Sequence, residues 1–154
     1  MTNEISLKII ENSIDKFNND SDTITGIIYF EVNGYCFPDS RWNDFIVVIL
    51  GWWIEALRDI DVLTYNKCIE LHFMDGPFMV RVIKLENDLV NLEFIHRYID
   101  GGKAIMEARS YVKEIKKLIY GSCKSLVKIV EQKKWDTNEV RNLKKLMHNF
   151  NQHI

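Results

Sequence analysis

Two prolines and seven glycines in 154 residues leave little material for a linker or a low-complexity tract, so the chain reads as one domain. Cysteine is scarce, odd in number and scattered at Cys36, Cys68 and Cys123, with no CxxC spacing. That excludes a disulfide framework and points to buried thiols in a reducing compartment. The N-terminal stretch is polar and acidic, with no basic segment and no apolar core of signal-peptide type. The longest apolar run, Phe45–Ile54, is broken only by Gly51. It falls well short of the about 20 residues a bilayer crossing needs. The expectation is a cytoplasmic protein without a membrane segment. Nucleotide and esterase signatures are missing too: no GxSxG, P-loop or GxGxxG occurs.

What is present is an ordinary globular balance, 47% apolar and 27% charged. A chain of this length buries about 70% of its unfolded surface, enough for a core without staples. The net charge of −2 conceals an asymmetry. Residues 1–102 hold 8 basic and 17 acidic side chains, a balance of −9; residues 103–154 hold 12 and 5, a balance of +7. Such a split suits an acidic or basic partner, and equally suits two halves attracting each other within one fold.

Three of the four tryptophans fall in Phe37–Leu57, FPDSRWNDFIVVILGWWIEAL. Asp39 or Ser40 is placed to cap a helix over 40–58, with Asp44 in its first turn. On a helical wheel Arg41, Asp44, Gly51, Glu55 and Arg58 form one thin polar stripe, and nearly everything else is apolar. Such a helix is buried on most sides, with Trp52 and Trp53 in the core.

Before it, Ile10, Ile14 and Phe17 suggest a short amphipathic helix over 5–18, with a strand at Ile5–Ile10 as the rival, and Asn18–Asp22 a polar breaker. Asn33-Gly34 marks a two-residue hairpin between Ile24–Val32 and Tyr35–Phe37, pairing Val32 with Tyr35 and Phe30 with Phe37. After the helix, Ile69/Leu71/Phe73, Phe78/Val80/Val82 and Val90/Leu92/Phe94 alternate with polar or mixed neighbours. The turns Asp75-Gly76-Pro77 and Glu86-Asn87-Asp88 separate them, giving a three-strand antiparallel meander. Beyond Asp100-Gly101-Gly102, Ile105, Ala108, Val112, Ile115, Ile119, Ser122, Leu126 and Ile129 recur at helical spacing over about 103–133, with an interruption at Gly121-Ser122. Asp136 or Thr137 caps a last helix, 138–150. The seam of these C-terminal helices offers a homodimer surface or packs on its own domain. The fold expected is α+β: a five-stranded, mostly antiparallel sheet with a long central helix and two C-terminal helices.

None of the four histidines, His72, His96, His148 and His153, has a partner at zinc-motif spacing, so neither a metal nor another cofactor is called for. Cys68 and His72, four apart on one strand, are separated by about 13 Å, too far for a thiolate–imidazole pair. The carboxylates read first as caps, turns and exposed stripes. The lysines of the tail invite phosphate contact, but interleaved exposed aromatics are sparse there, which weakens a nucleic-acid reading.

The pattern YxFPxxxWxDFxVVILxWWxEAL, followed by LxFMDGPF, rests on Tyr35, Phe37, Pro38, Trp42, Asp44, Phe45, Trp52, Trp53, Glu55, Phe73, Asp75, Gly76 and Pro77. It resembles small immunity proteins encoded beside bacterial polymorphic or contact-dependent toxins; the helical tail adds nothing to the match. The resemblance implies a non-enzymatic binder that occludes a cognate toxin domain, a basic nuclease being one candidate. The −9 region suits such a cleft. The expected partner-binding residues are Trp42, Asp44, Glu55, Arg58, Asp59 and Asp61, along the exposed helix edge and the loop after it. The rivals are a nucleic-acid-binding accessory protein using the basic C-terminal helices, and a small hydrolase.

Overall fold

A computed structural model describes residues 2–16, 18, 22–98 and 101–151. The fold is α+β, with three helices and two antiparallel sheets of four strands each, rather than one five-stranded sheet. In the first sheet β2 (Ile24–Val32) is central, with β1 (Ile5–Lys16) along one edge and β3 (Tyr35–Phe37) and β4 (Asn43–Asp44) along the other. The second sheet runs β5 (Cys68–His72), β6 (Phe78–Lys84), β7 (Leu89–Tyr98), β8 (Gly101–Tyr111) in chain order. Asn3 joins the two: its backbone N–H donates to the Arg109 carbonyl and its side-chain Oδ1 accepts the Arg109 N–H, each at 2.8 Å.

The helix expected over 5–18 is a strand. Ile5, Leu7 and Ile9 lean on the core in strict alternation, paired opposite Val32, Phe30 and Ile28. The register then jumps between Ile10 and Asp15. That bulge changes the phase, so the next inward residue is Ile14, and the combined spacing imitates a helix. Ser13 stitches the bulge: Oγ donates to the Ile10 carbonyl at 2.6 Å and accepts the Ile27 N–H at 2.7 Å. Gly26 makes room for it, since a Cβ there would lie 3.0 Å from Ile14 Cγ1. Phe17 and most of the 18–22 breaker lie outside the described residues.

The hairpin forms in the expected register, Val32 opposite Tyr35 and Phe30 opposite Phe37. Asn33 and Gly34 have φ of 51° and 82°, the positive values this turn requires. Past the cis Phe37–Pro38 bond the chain does not enter a helix at once. Asp39 Oδ1 accepts the Arg41 N–H in a turn, Ile28 N–H reaches the Trp42 carbonyl, and residues 43–44 pair with β2. The helix α1 (Ile46–Leu57) therefore starts later than expected. Neither Asp39 nor Ser40 caps it; Phe45 holds the N-cap position with no side-chain hydrogen bond. Backbone groups of 42–44 given to β2 are unavailable to a helix, and that pairing sets the boundary.

The meander matches its expected alternation, with Ile69, Leu71, Phe73, Val80, Val82, Val90, Leu92 and Phe94 buried. The Asp75-Gly76-Pro77 segment turns the chain, and Glu86–Asp88 forms a single 3-10 turn. The long helix expected from 103 is a strand up to Tyr111. There Ala108 and Ser110 are buried and Met106 is half-buried, at period two, while Ile105 is exposed. The i, i+3 spacing of Ile105 and Ala108 is thus incidental, and β8 pairs with β7 along its length. Helical phase begins at Val112. In α2 (Val112–Gln132), Val112, Ile115, Ile119, Ser122, Cys123, Leu126 and Val130 are buried, and the helix continues through Gly121. The charge boundary after residue 102 falls inside β8. Asp100, the first residue of the expected separator, lies outside the described residues.

The final helix, α3 (Asn138–Asn151), buries Val140, Leu143, Met147 and Phe150. Of its two candidate caps, Thr137 does the work: Oγ1 accepts the Val140 N–H at 3.2 Å. The middle of the molecule is aromatic. Phe30 of β2 stacks on Trp53 of α1 at 5.4 Å, and both Phe30 and Phe37 meet Phe94 of the opposite sheet edge-on. One core therefore joins both sheets and α1. Of the three thiols only Cys123 is buried; Cys36 is half-buried and Cys68 exposed. Burial pushes the Cys123 thiol up to about 12.

Candidate functional site

Trp42 and Asp44 do not lie on an exposed helix edge, as expected. Asp44 is 1% exposed. Its carboxylate accepts the Trp42 indole N–H at 2.9 Å, the Phe45 backbone N–H at 2.7 Å and the Asp75 backbone N–H at 3.2 Å. Trp42 packs edge-on against Phe73 and Phe78, and its ring lies so close to Gly76 that a Cβ there would sit 2.6 Å from Cη2. Together they clasp the start of α1 to the 75–77 turn. Burial raises the Asp44 pKa, while the three donors pull it back down.

The two adjacent tryptophans of α1 part ways. Trp53 is fully buried and donates its indole N–H to the His72 carbonyl at 2.8 Å. Trp52, expected in the core, is 44% exposed. It stands one helical turn before Glu55, which is also exposed, so the outward stripe of α1 holds Trp52 and Glu55, with the exposed Asp59 just beyond the helix. Gly51, expected on that stripe, is covered by Leu146 of α3.

After α1 the chain turns through 58–62. Arg58, Asp59 and Asp61 are exposed as residues, but Asp61 has an internal task. Its Oδ2 receives the buried Lys116 ammonium of α2. Lys84, equally buried, donates to the carbonyls of Ile60 and Asp61 at 2.9 and 3.0 Å. These two lysines hold the segment from beneath. Above it stand Asp59, Val62 at 81% exposure and Tyr65 at 56%. Sequence reasoning passed over Val62 and Tyr65 because they sit in an aperiodic stretch. For Trp52 the signal was available: it lies three residues before Glu55.

The cationic surface is elsewhere. Lys113, Lys117, Lys124, Lys128, Lys133, Lys134, Lys144 and Lys145 of α2, α3 and their connection are exposed. Lys144 pairs with Glu131, and Lys133 covers the Trp135 ring at 5.1 Å. Tyr120 stacks on Phe150, leaving Tyr111 as the exposed aromatic at this end. His72 bonds Glu70, and His96 stacks on Phe78 at 4.7 Å; His153 lies outside the described residues. Among the described residues, no group of three or more His, Cys, Asp or Glu is placed to hold a metal ion, and no helix is long and apolar enough to cross a membrane.

Comparison with protein-family models, curated proteins and solved structures yields no match.

Proposed function

We propose that the chain is a non-enzymatic immunity protein that binds and occludes a cognate toxin domain through the outward stripe of α1 and the loop after it. The observation that carries this reading is the exposed pair Val62 and Tyr65, in the segment that follows the exposed Trp52, Glu55 and Asp59 along the chain. Exposed aromatic and aliphatic side chains close in sequence to exposed carboxylates are the composition of a protein-docking centre. The lysine supports under 60–61 keep the loop ordered before binding, which lowers the entropy cost of association. Of the six partner-binding residues expected from sequence, Glu55, Arg58 and Asp59 remain candidates for direct contact. Trp42 and Asp44 act as internal supports, and Asp61 is divided between the surface and Lys116.

The test is binding to the C-terminal domain of whatever large open reading frame lies immediately upstream in the source genome. One-to-one complex formation that abolishes toxicity supports the reading; no complex overturns it. Asp59→Lys combined with Tyr65→Ala should weaken that complex at least tenfold with an unchanged melting temperature. Equal affinity would remove this surface from the interface.

The second reading, a nucleic-acid-binding accessory protein, draws on the eight exposed lysines of the C-terminal helices. It requires binding to nucleic acid without a protein partner, falling steeply with salt.

A further inference from the structure

Lys113, Lys117, Gly121, Lys124 and Lys128 follow one another along α2 at spacings of four, four, three and four residues. That rhythm puts them on one face of the helix, in a stripe about 22 Å long. All of them are exposed. We propose that this stripe docks on the phosphate backbone of a DNA duplex, with one lysine pair on each strand beside a groove and Gly121 between the pairs. The proposal rests on the second reading above, to which it gives a site and a class of ligand; it uses no part of the α1 docking surface.

The charge of the stripe is uncompensated. No acidic residue occurs between Glu114 and Glu131. Glu131 is taken by Lys144, and among the described residues none of the four stripe lysines forms an ion pair. Lys116, one residue off the stripe, is buried and turned to Asp61 instead.

Gly121 is the residue that the fold does not explain. Glycine weakens a helix interior, and a Cβ here would meet nothing within 4 Å, so no neighbour needs the space. A partner lying against the helix does need it, because bare backbone admits a closer approach than any side chain. The rise from Lys117 to Lys124 across this gap is about 10 Å, close to the width of the major groove, about 12 Å. The flexible lysine stems cover the difference.

Other anionic partners fit less well. A lipid surface is held by apolar side chains that insert, and among the described residues no large apolar side chain of α2 or α3 is exposed. Single strands need free aromatic faces to stack on. Tyr120 is stacked on Phe150, and Trp135 lies under Lys133. A duplex presents phosphates at regular spacing and asks for no stacking.

The experiment measures the fluorescence anisotropy of a short, labelled, random-sequence DNA duplex, and of its single strands, with the full chain across a salt series. Four phosphate contacts predict a log–log salt slope of about −3.6 for the duplex. Lys117→Glu combined with Lys124→Glu should weaken duplex binding by about tenfold or more. Lys67→Glu combined with Lys103→Glu makes the same charge change at exposed positions off the stripe, and should weaken it by less than about threefold. Gly121→Gln adds a side chain in open space; it should keep or raise the melting temperature and weaken binding about fivefold. No duplex binding at low salt would overturn the stripe and the second reading together. Equal weakening by the two double variants would overturn the stripe and keep that reading. Single strands bound as tightly as the duplex would overturn the duplex assignment, and unchanged binding by Gly121→Gln would overturn the close approach.

Discussion

Two carboxylates show how a single residue's environment sets its part. Asp44 is buried and accepts three N–H groups; its value to the fold is as an acceptor. Asp44→Asn keeps one acceptor oxygen and should cost about 1–2 kcal/mol, whereas Asp44→Ala strands all three donors and should cost about 3 kcal/mol. Urea unfolding of the pair checks the order; equal losses would mean the hydrogen bonds matter little. Glu139 is the opposite case, a half-buried carboxyl with one oxygen that has no hydrogen-bond partner among the described residues and a raised pKa, caused first by burial and then by Asp22. Because its folded pKa lies above its unfolded value, the stability it supplies is present below the ordinary carboxylate range and fades as pH climbs through the raised value. Glu139→Gln should therefore gain on the native protein between pH 4.5 and pH 7, as read from urea midpoints at both. A constant difference across that span would mean Glu139 titrates normally.

At the scale of elements, close approach and capping are the deciding features. Gly51 lies inside α1, where glycine costs about 0.5–1 kcal/mol relative to alanine. A Cβ there would meet only Leu146 Cδ1, at 3.5 Å, an ordinary contact. Gly51→Ala should stabilise the protein by about that amount, seen as a raised unfolding midpoint, while narrowing the groove against α3. Destabilisation would mean that α1 and α3 are packed more tightly than this contact indicates. Thr137, buried at the start of α3, should lose about 1 kcal/mol on replacement by alanine. The element boundaries most easily misread from sequence are also local events. A bulge at Ile10–Asp15 turned a strand's period two into an apparent helical spacing. A strand running directly into a helix at Tyr111–Val112, with no breaker between them, let one period extend over both. In each case part of the apparent helical spacing came from a residue that faces outward, Ile10 in β1 and Ile105 in β8.

Over the whole molecule, the loop after α1 is where sheet, helix and surface meet. Asp61 links it to α2 through Lys116, and Lys84 links it to β6. Asp61→Asn should therefore cost roughly 2 kcal/mol by taking a charged partner from a buried ammonium. Asp59→Asn, with no such link, should fall within about 0.5 kcal/mol of the native protein. Chemical denaturation separates the two; equal effects would mean that Lys116 does not depend on Asp61. The same contrast guides any binding study, because a charge reversal at Asp61 confounds folding with recognition and one at Asp59 does not. The acidic and basic parts share a sheet and an ion pair: β8 contains their boundary, and Asp61 meets Lys116 across it.

By itself the sequence determined what periodicity and turn chemistry encode locally. These were the α+β class, the Asn33-Gly34 hairpin with its register, the alternating meander, the buried Trp53 helix and the last helix with its Thr137 cap. Each depends on neighbours within a few residues, where φ preferences and side-chain direction are set by the local chain. Only the tertiary structure decided the rest. The joining of the two sheets depends on Asn3 meeting Arg109, and the start of α1 on residues 43–44 pairing with β2. The exposure of Trp52 depends on α3 covering Gly51 instead, and the burial of Asp44 on the turn at Asp75. Those partners lie between 16 and 106 residues apart, and loop closure between them is settled by the packing of the whole chain rather than by any local signal.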